Sequence, residues 1–223
     1  MDYQFKDDDQ LLLAPGEIVN DLAQGAIWRV QMGAVVLEGE GTDSGTVTPI
    51  GLAVPGDLIG VEWLLSSDTT LRARALTASV LQREAHDGAP GRLALLSQSI
   101  AQSRRQCADI VRLRSGSATD RVKQLLLLLS GVLPNGTKGA NGAKGIVADI
   151  CELPPLREMA ALTDSAPETI SRVIGNLRRL MVLRDKLPSS VRVDRAALGQ
   201  LKAPAGMTEG YVCVNRGAMA VMS

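Results

Sequence analysis

The chain is poor in the residues that most active-site chemistry needs. It has one histidine, His86, and three cysteines, at positions 107, 151 and 213, in 223 residues. A single imidazole leaves little acid–base chemistry near neutral pH. No nucleophile–base pair, metal-ligand cluster or phosphate-binding loop of the right spacing is present, which argues against an enzyme. An odd number of scattered cysteines fits reduced thiols in a cytoplasm rather than a disulfide framework. There is no run of about 18 apolar residues, the length a membrane span needs. The start, Met1-Asp2-Tyr3-Gln4-Phe5-Lys6-Asp7-Asp8-Asp9, is acidic and lacks the pattern of a signal peptide.

What is present suits two modest domains, since 45% hydrophobic residues in this length can bury real cores. The formal net charge is zero, but the charges are segregated. Residues 1–91 carry 5 basic and 14 acidic side chains, residues 92–150 carry 9 and 3, and residues 151–202 carry 9 and 6. The basic half has the electrostatic footprint of a nucleic-acid binder, and the acidic half should stay away from one.

Residues Pro155 to Val193 are the most informative stretch. Leu156 to Ile174 reads as a helix, a tight turn and a second helix. In the first helix Met159, Ala160 and Leu162 form the inner face, and small Ala160 allows close helix–helix approach. In the second, Ile170, Val173, Ile174, Leu177, Leu180 and Met181 recur at helical spacing as one apolar stripe. Glu168, Arg172, Asn176 and Arg179 fall roughly opposite. Ser165 and Glu168 have capping-box spacing, and Pro167 falls in the first turn, where a missing N–H costs little. An ordinary helical hairpin with a solvated charged face would show the same pattern. The residues that follow favour a DNA-reading motif. Val182-Leu183-Arg184, a turn over Asp185 to Ser190, and Val191-Arg192-Val193 form a β-hairpin, so the segment reads as a winged helix.

Upstream, residues 26–30, 34–38, 46–50 and 75–81 read as short strands. Pro15-Gly16, Gly33, Gly39 to Gly45 and Pro55-Gly56 punctuate them, a spacing that suits a small β-roll or jelly roll. Glycine-dense turns of this kind usually serve geometry. From about Gly91 to Arg114 a long helix carries Leu93, Leu96, Ile100, Ser103, Cys107 and Ile110 at near-heptad spacing, with Arg104, Arg105, Arg112 and Arg114 off the seam. Ser115-Gly116-Ser117 breaks it as a hinge, and Thr119 to Leu126 restarts a helix. The leucine run 125–129 is apolar all round and should be buried between domains. Residues 134–145 are glycine-rich and basic and read as a flexible loop. Residues 203–223 form an apolar tail with no assignable role.

The Glu168-Thr169-Ile170-Ser171-Arg172 run in this setting resembles the recognition helix of the CRP/FNR family of bacterial transcription regulators, and most closely its FNR branch. Pro15-Gly16-Glu17, Gly33-Ala34-Val35 and Pro55-Gly56-Asp57-Leu58-Ile59-Gly60-Val61-Glu62 resemble, in order, turns of the family's sensor domain. The resemblance spans nearly residues 10 to 202. It implies an α+β fold with an N-terminal β-roll of the cyclic-nucleotide-binding jelly-roll type (1–91), a long dimerisation helix and hinge (92–116), a C-terminal winged helix-turn-helix (117–202) and the tail (203–223).

It also implies a homodimer that binds an inverted repeat of a TTGA-like half-site in double-stranded DNA, with RNA polymerase as a further partner. Base contacts carry over onto Glu168, Ser171 and Arg172. Arg172 would be bidentate to a guanine, Glu168 would accept from a cytosine amine, and Ser171 would touch a thymine. Phosphate contacts would come from Arg157, Thr169, Asn176, Arg178, Arg184 and Arg192. Two positions depart from the family: Asp164 stands where the turn usually has glycine, and Pro167 stands where some relatives carry an arginine.

The sensor departs further. A cyclic-nucleotide site wants a glutamate directly after Gly60, where Val61 stands and Glu62 comes one place late. The phosphate-binding arginine position falls on Thr69. This argues against cyclic AMP. A different ligand could use a pocket near Gly60, Val61 and Glu62, with Arg72 or Arg74 and with Arg104 and Cys107 on the long helix. Alternatively, side chains such as Trp63 and Leu64 fill it. An FNR-type iron–sulfur cluster wants four cysteines, three of them near the N-terminus, and this chain has none before Cys107. His86 could ligate haem, but a lone turn histidine is more simply a surface residue. A 2-oxoglutarate site would want arginines near Thr69 and Gln102, and Arg104 alone is close. Pairing of the long helix across a two-fold axis would bring two Cys107 thiols together as a redox switch. The simpler role for Cys107 is a small buried hydrophobe. The second functional class is a ligand-binding or partner-docking protein whose helix-turn-helix no longer reads DNA.

Overall fold

A computed structural model describes residues 9–19, 22, 25–40, 47–64, 71–85, 88–130, 149–187 and 190–201. Among the described residues the N-terminal part has seven strands: β1 (Gln10–Leu13), β2 (Trp28–Met32), β3 (Val35–Glu40), β4 (Val47–Ala53), β5 (Leu58–Ile59), β6 (Arg72–Ala75) and β7 (Ser79–Arg83). They form two antiparallel sheets, ordered β1-β7-β2-β5 and β4-β3-β6. The period-two alternation of strand side chains sorts their faces. Leu11, Leu13, Trp28, Val30 and Leu81 of the first sheet meet Val35, Ala53, Ala73 and Ala75 of the second in one dry core. On the second sheet's outer face Val36 and Leu52 join a different core, shared with the helices.

The strand expected over 75–81 is two strands, β6 and β7, separated by a bend at 76–78. The bend tucks under Gly33, which has a φ of 85° and where a Cβ would collide with the Ala78 carbonyl and with Ser79. The amide of Leu76 donates to Ala34 O at 2.8 Å, and the amide of Ala34 donates to Thr77 Oγ1 at 3.0 Å, fixing the crossover.

Helix α1 (Gly88–Arg114) lies along the roll, and α2 (Ala118–Ser130) follows. Between them Gly116 has a φ of 82°. Ser117 and Asp120 then cap α2 reciprocally: Asp120 N donates to Ser117 Oγ at 3.2 Å and Ser117 N donates to Asp120 Oδ2 at 3.3 Å. Leu125, Leu126 and Leu129 are buried and Leu127 and Leu128 half-buried, as a helix apolar all round requires. Their core reaches Ala34, Val36, Leu52 and Leu76 of the roll on one side and Met159, Leu162, Ile170 and Leu177 on the other.

The C-terminal part contains β8 (Asp149–Glu152), α3 (Leu156–Leu162), α4 (Pro167–Arg179), β9 (Leu183–Leu187), β10 (Ser190–Val193) and α5 (Arg195–Gln200). Strands β9 and β10 form the expected wing, but they extend into the turn expected over Asp185 to Ser190, to Leu187 and from Ser190. β8 adds a third strand on the far side of β10, an addition the sequence did not announce. The 134–145 loop and the 203–223 tail lie outside the described residues. Among the described residues no helix is long and apolar enough to cross a membrane.

The outward line on α1 differs from the heptad expected. Leu96 packs inward beside Ile27, Leu58 and Val61, and Ile110 packs on the shared core. The exposed line runs instead through Leu93, Ile100, Cys107 and Val111, with the three aliphatics 60–67% exposed. Of the expected i+3 positions Leu96 and Ile110 face the roll and the shared core while Ser103 is exposed, and the i+7 positions stay outside, as the drift of a straight helix of period 3.6 against a heptad allows. Cys107 is therefore exposed and not a buried hydrophobe; Cys151 of β8 is the buried thiol.

Candidate nucleic-acid interface

α4 is positioned by its apolar face. Ile170, Val173, Ile174 and Leu177 are buried against α2 and α3. Leu180 and Met181, expected to extend that stripe, are 61% and 56% exposed. The helix ends at Arg179, and Met181 turns to a φ of 58°, so the chain leaves the helical phase before it reaches them. On the solvent face Glu168, Ser171, Arg172, Asn176 and Arg179 are exposed. The side chains of Glu168, Ser171 and Arg172 have no hydrogen bond or ion pair among the described residues. Asn176 Oδ1 accepts from Arg179.

The capping box expected at Ser165 and Glu168 does not form. The N-cap is Ala166, with no side-chain cap bond, and Pro167 follows at the first helical position. Ser165 sits one residue too early, and its hydroxyl donates to Thr163 O at 3.1 Å within the turn. Glu168 is thereby left exposed instead of folded back on the helix. Asp164 adopts the left-handed conformation expected of the residue in the usual glycine position, with a φ of 46°.

The residues expected at phosphates are spread around this helix. Arg157 on α3 is exposed and lies 3.4 Å from Glu158. Arg178, at the end of α4, is held by Asp185 of the wing at 3.0–3.1 Å. Arg184 is exposed, with Nε 3.4 Å from Met181 O, and Thr169 and Arg192 are half-buried. Arg184 and Arg192 are direct cross-strand partners in the wing.

The residues expected around an effector do not converge. Gly60, Glu62 and Arg72 line one recess of about 10 Å³ with Leu22, Leu37, Ile59, Leu71 and Ala73, which is room for about one water. Gly60 has a φ of 89°, and a Cβ there would meet Ala26 O at 2.5 Å. Val61 is buried in the small cluster with Ile27, Leu58 and Leu95. Arg104 and Cys107 are exposed on α1 and do not line the recess. Among the described residues Arg72 is the only cation lining it. Among the described residues no buried arginine lines the recess to pair with a phosphate, and Val61, not a carboxylate that could take a ribose hydroxyl, directly follows Gly60. His86, Thr69 and the side chains of Trp63 and Leu64 lie outside the described residues. Among the described residues no group of three or more His, Cys, Asp or Glu could hold a metal ion.

Arg74 is elsewhere. In β6 the alternation Arg72-Ala73-Arg74-Ala75 sends the alanines into the roll and the arginines out. Arg74 bonds Glu38 of β3 at 3.0 Å and Glu158 of α3 at 2.9 Å, so it bridges the roll to the first helix of the helix-turn-helix. Its side-chain bond to Glu38 holds its pKa above the usual arginine value. A second bridge runs from Ala78 N to Glu152 Oε2 at 3.0 Å. The Pro55–Leu58 segment is likewise fastened to α1. Gln98 donates to Gly56 O, Gln102 exchanges two bonds with the Leu58 backbone at 2.7 and 2.8 Å, and Arg105 pairs with Asp57. Sequence reasoning missed these contacts, although Gln98, Gln102 and Gln106 at i, i+4 spacing do mark one helix face.

No protein-family model matches the sequence, and no curated protein matches it. Solved structures do. TTHB099, a transcriptional regulator of the CRP family from Thermus thermophilus, is 23% identical, with 84% of this chain and 93% of that one covered and a TM-score of 0.61. TTHA1359, a CRP/FNR-family regulator of the same organism, is 24% identical over 86% of this chain and 96% of its own, with a TM-score of 0.56. FixK2 from Bradyrhizobium japonicum is 21% identical over 88% and 98%, with a TM-score of 0.61. The chain has the fold of these regulators: a β-roll, a long helix and a winged helix-turn-helix.

Proposed function

We propose that the chain is a sequence-specific DNA-binding transcription regulator, acting as a homodimer on an inverted TTGA-like repeat. The observation that carries this reading is the solvent face of α4. Glu168, Ser171 and Arg172 stand together on a helix fixed by four buried side chains, and nothing within the described residues occupies them. A helix with free polar groups and a rigid back suits a major groove, whose base edges supply the missing partners. Arg172 contacts guanine, Glu168 a cytosine amine and Ser171 a thymine. Arg157, Thr169, Asn176, Arg178, Arg184 and Arg192 contact phosphates. The Arg184–Arg192 pairing supports the wing's part, since like charges directly opposite on a sheet are unfavourable unless an anion lies between them.

The exposed line Leu93, Ile100, Cys107 and Val111 supports pairing of α1 with its copy. Two recognition helices would then lie about one helical turn apart. Control comes from an effector other than cyclic AMP that shifts the population between arrangements of the two winged helices. RNA polymerase is the downstream partner.

The test is selection from random duplex DNA by the purified protein near physiological salt. Enrichment of an inverted TTGA-like repeat is the expected outcome. A protein that enriches nothing, with or without cell extract, and shows no salt dependence of binding, would instead be a ligand-binding or partner-docking relative of this fold.

A further inference from the structure

The turn between α3 and α4 sets the angle at which α4 leaves the domain. It runs through a left-handed residue that is not glycine, Asp164. Such a conformation persists where its surroundings over-determine it. Inside the motif, Ser165 N donates to Ala160 O at 3.0 Å, and buried Thr163 bonds Met159 O through Oγ1 at 2.7 Å. From outside it, Arg121 of α2 donates through Nη1 to Thr163 O at 2.8 Å and to Asp164 O at 2.7 Å. These carbonyls lie at the C-terminal end of α3, where acceptors lack helical partners and partial negative charge collects. A guanidinium there makes the stronger, charge-assisted kind of bond.

Arg121 is itself fixed to the hinge. Its amide donates to Ser117 O at 3.0 Å, in the turn that Ser117 and Asp120 cap. Its Nε is buried without a partner. The guanidinium therefore leaves one of its own donors unmatched while Nη1 stays on the turn, so its placement follows the turn's geometry and not its own satisfaction.

We propose that Arg121 is a positioning residue for the recognition helix. It holds the left-handed turn that glycine would adopt unaided, and it ties that turn to the 115–117 hinge. A movement at the hinge then reaches α4 through two directed hydrogen bonds as well as through the apolar core. The effect on DNA rests on the reading of α4 given above, whereas the clamp itself does not.

The test compares Arg121→Ala in the native background and in an Asp164→Gly background, by amide hydrogen exchange and by DNA binding. In the native background, exchange over residues 163–166 should rise about tenfold or more while wing amides keep their rates, as expected for loss of a charge-assisted bond. In the glycine background the same substitution should change exchange by less than about threefold, since the two sites are coupled. Affinity for the selected duplex should follow: about a tenfold loss in the first background and little in the second. Arg121→Gln, a milder truncation, should give the same signs and serves if Arg121→Ala does not fold. Unchanged exchange in the native background, or an equal rise in both, overturns the proposal. A native protein that selects no duplex overturns the DNA reading instead and leaves the exchange data to decide the clamp.

Discussion

On α4 the side chains of Glu168, Ser171 and Arg172 reach solvent without a partner among the described residues. The charged groups of the β-roll are, by contrast, paired: Arg29 with Glu84, Asp57 with Arg105 of α1, and Arg74 with both Glu38 and Glu158 of α3. Both regions are rich in polar groups on rigid elements, but the roll's groups are satisfied by one another or by the helices packed on it. A self-satisfied network holds geometry and offers a ligand little. A free polar group on a rigid back has enthalpy left to gain from a partner. The contrast supports the proposed recognition role of the winged helix and makes the outer face of the roll a structural bridge to it.

The largest disturbance should come from the apolar back of α4. Leu177 is 2% exposed in the core shared by both regions. Leu177→Ala should cost about 3 kcal/mol of unfolding free energy in urea titration and abolish DNA binding with it. A loss below about 1 kcal/mol would show that the shared core does not govern the winged helix.

Next is the bridge between the regions. Arg74→Ala leaves two carboxylates facing each other at a mostly buried site, for roughly 2 kcal/mol of stability, discounted from a fully buried pair because Arg74 is partly exposed. A raised pKa means that this contribution is complete below the unfolded-state pKa and is lost only as pH rises through the folded value. The difference between native and variant proteins should therefore stay flat across the neutral range. A variant as stable as the native chain would break the claim that the roll's charges hold the domains.

Smaller in stability but sharper in function is Arg172→Ala. It should weaken binding to the selected repeat by roughly 1–3 kcal/mol and leave scrambled duplex nearly unchanged. Equal loss on both would move Arg172 from base reading to phosphate contact. Arg184→Gln should behave in that second way, lowering affinity on all sequences and reducing the slope of log affinity against log salt by about 1. The smallest change belongs to Leu180→Ser. Leu180 is 61% exposed despite its apolar spacing, so stability should move by less than about 0.5 kcal/mol. A larger loss would mean that something covers this residue in solution.

Much of the molecule was legible in the chain. The stripe Ile170, Val173, Ile174 and Leu177 and the break at Ser115-Gly116-Ser117 appear where periodicity and turn residues put them, and the wing forms too, although its strands reach to Leu187 and back from Ser190, into the turn expected over Asp185 to Ser190. These are local signals, carried by neighbours three or four residues apart. Two of the errors were also local in origin. Ser165 and Glu168 have the spacing of a capping box, but the turn takes the serine hydroxyl first. Leu180 and Met181 continue the apolar spacing, but the helix stops at Arg179. The strand over 75–81 is continuous in β-propensity and broken in space, because Gly33, more than 40 residues earlier in the chain, allows a close crossing.

The order of parts follows from the amino-acid chain alone: a β-roll, a long helix, a break, then a helix-turn-helix with a wing. Hydrophobic period, glycine and proline placement and charge segregation are properties of short windows, and they survive without knowledge of what packs on what. Which polar side chains remain free is settled by how the elements pack. Arg72 and Arg74 lie two residues apart on one strand, yet one lines a recess and the other joins Glu38 and Glu158, the latter 84 residues away. Arg121 meets the turn at Asp164 across 43 residues. Long-range pairing depends on how sheets and helices pack, and burial then fixes which charges must find partners, a condition that no local pattern encodes.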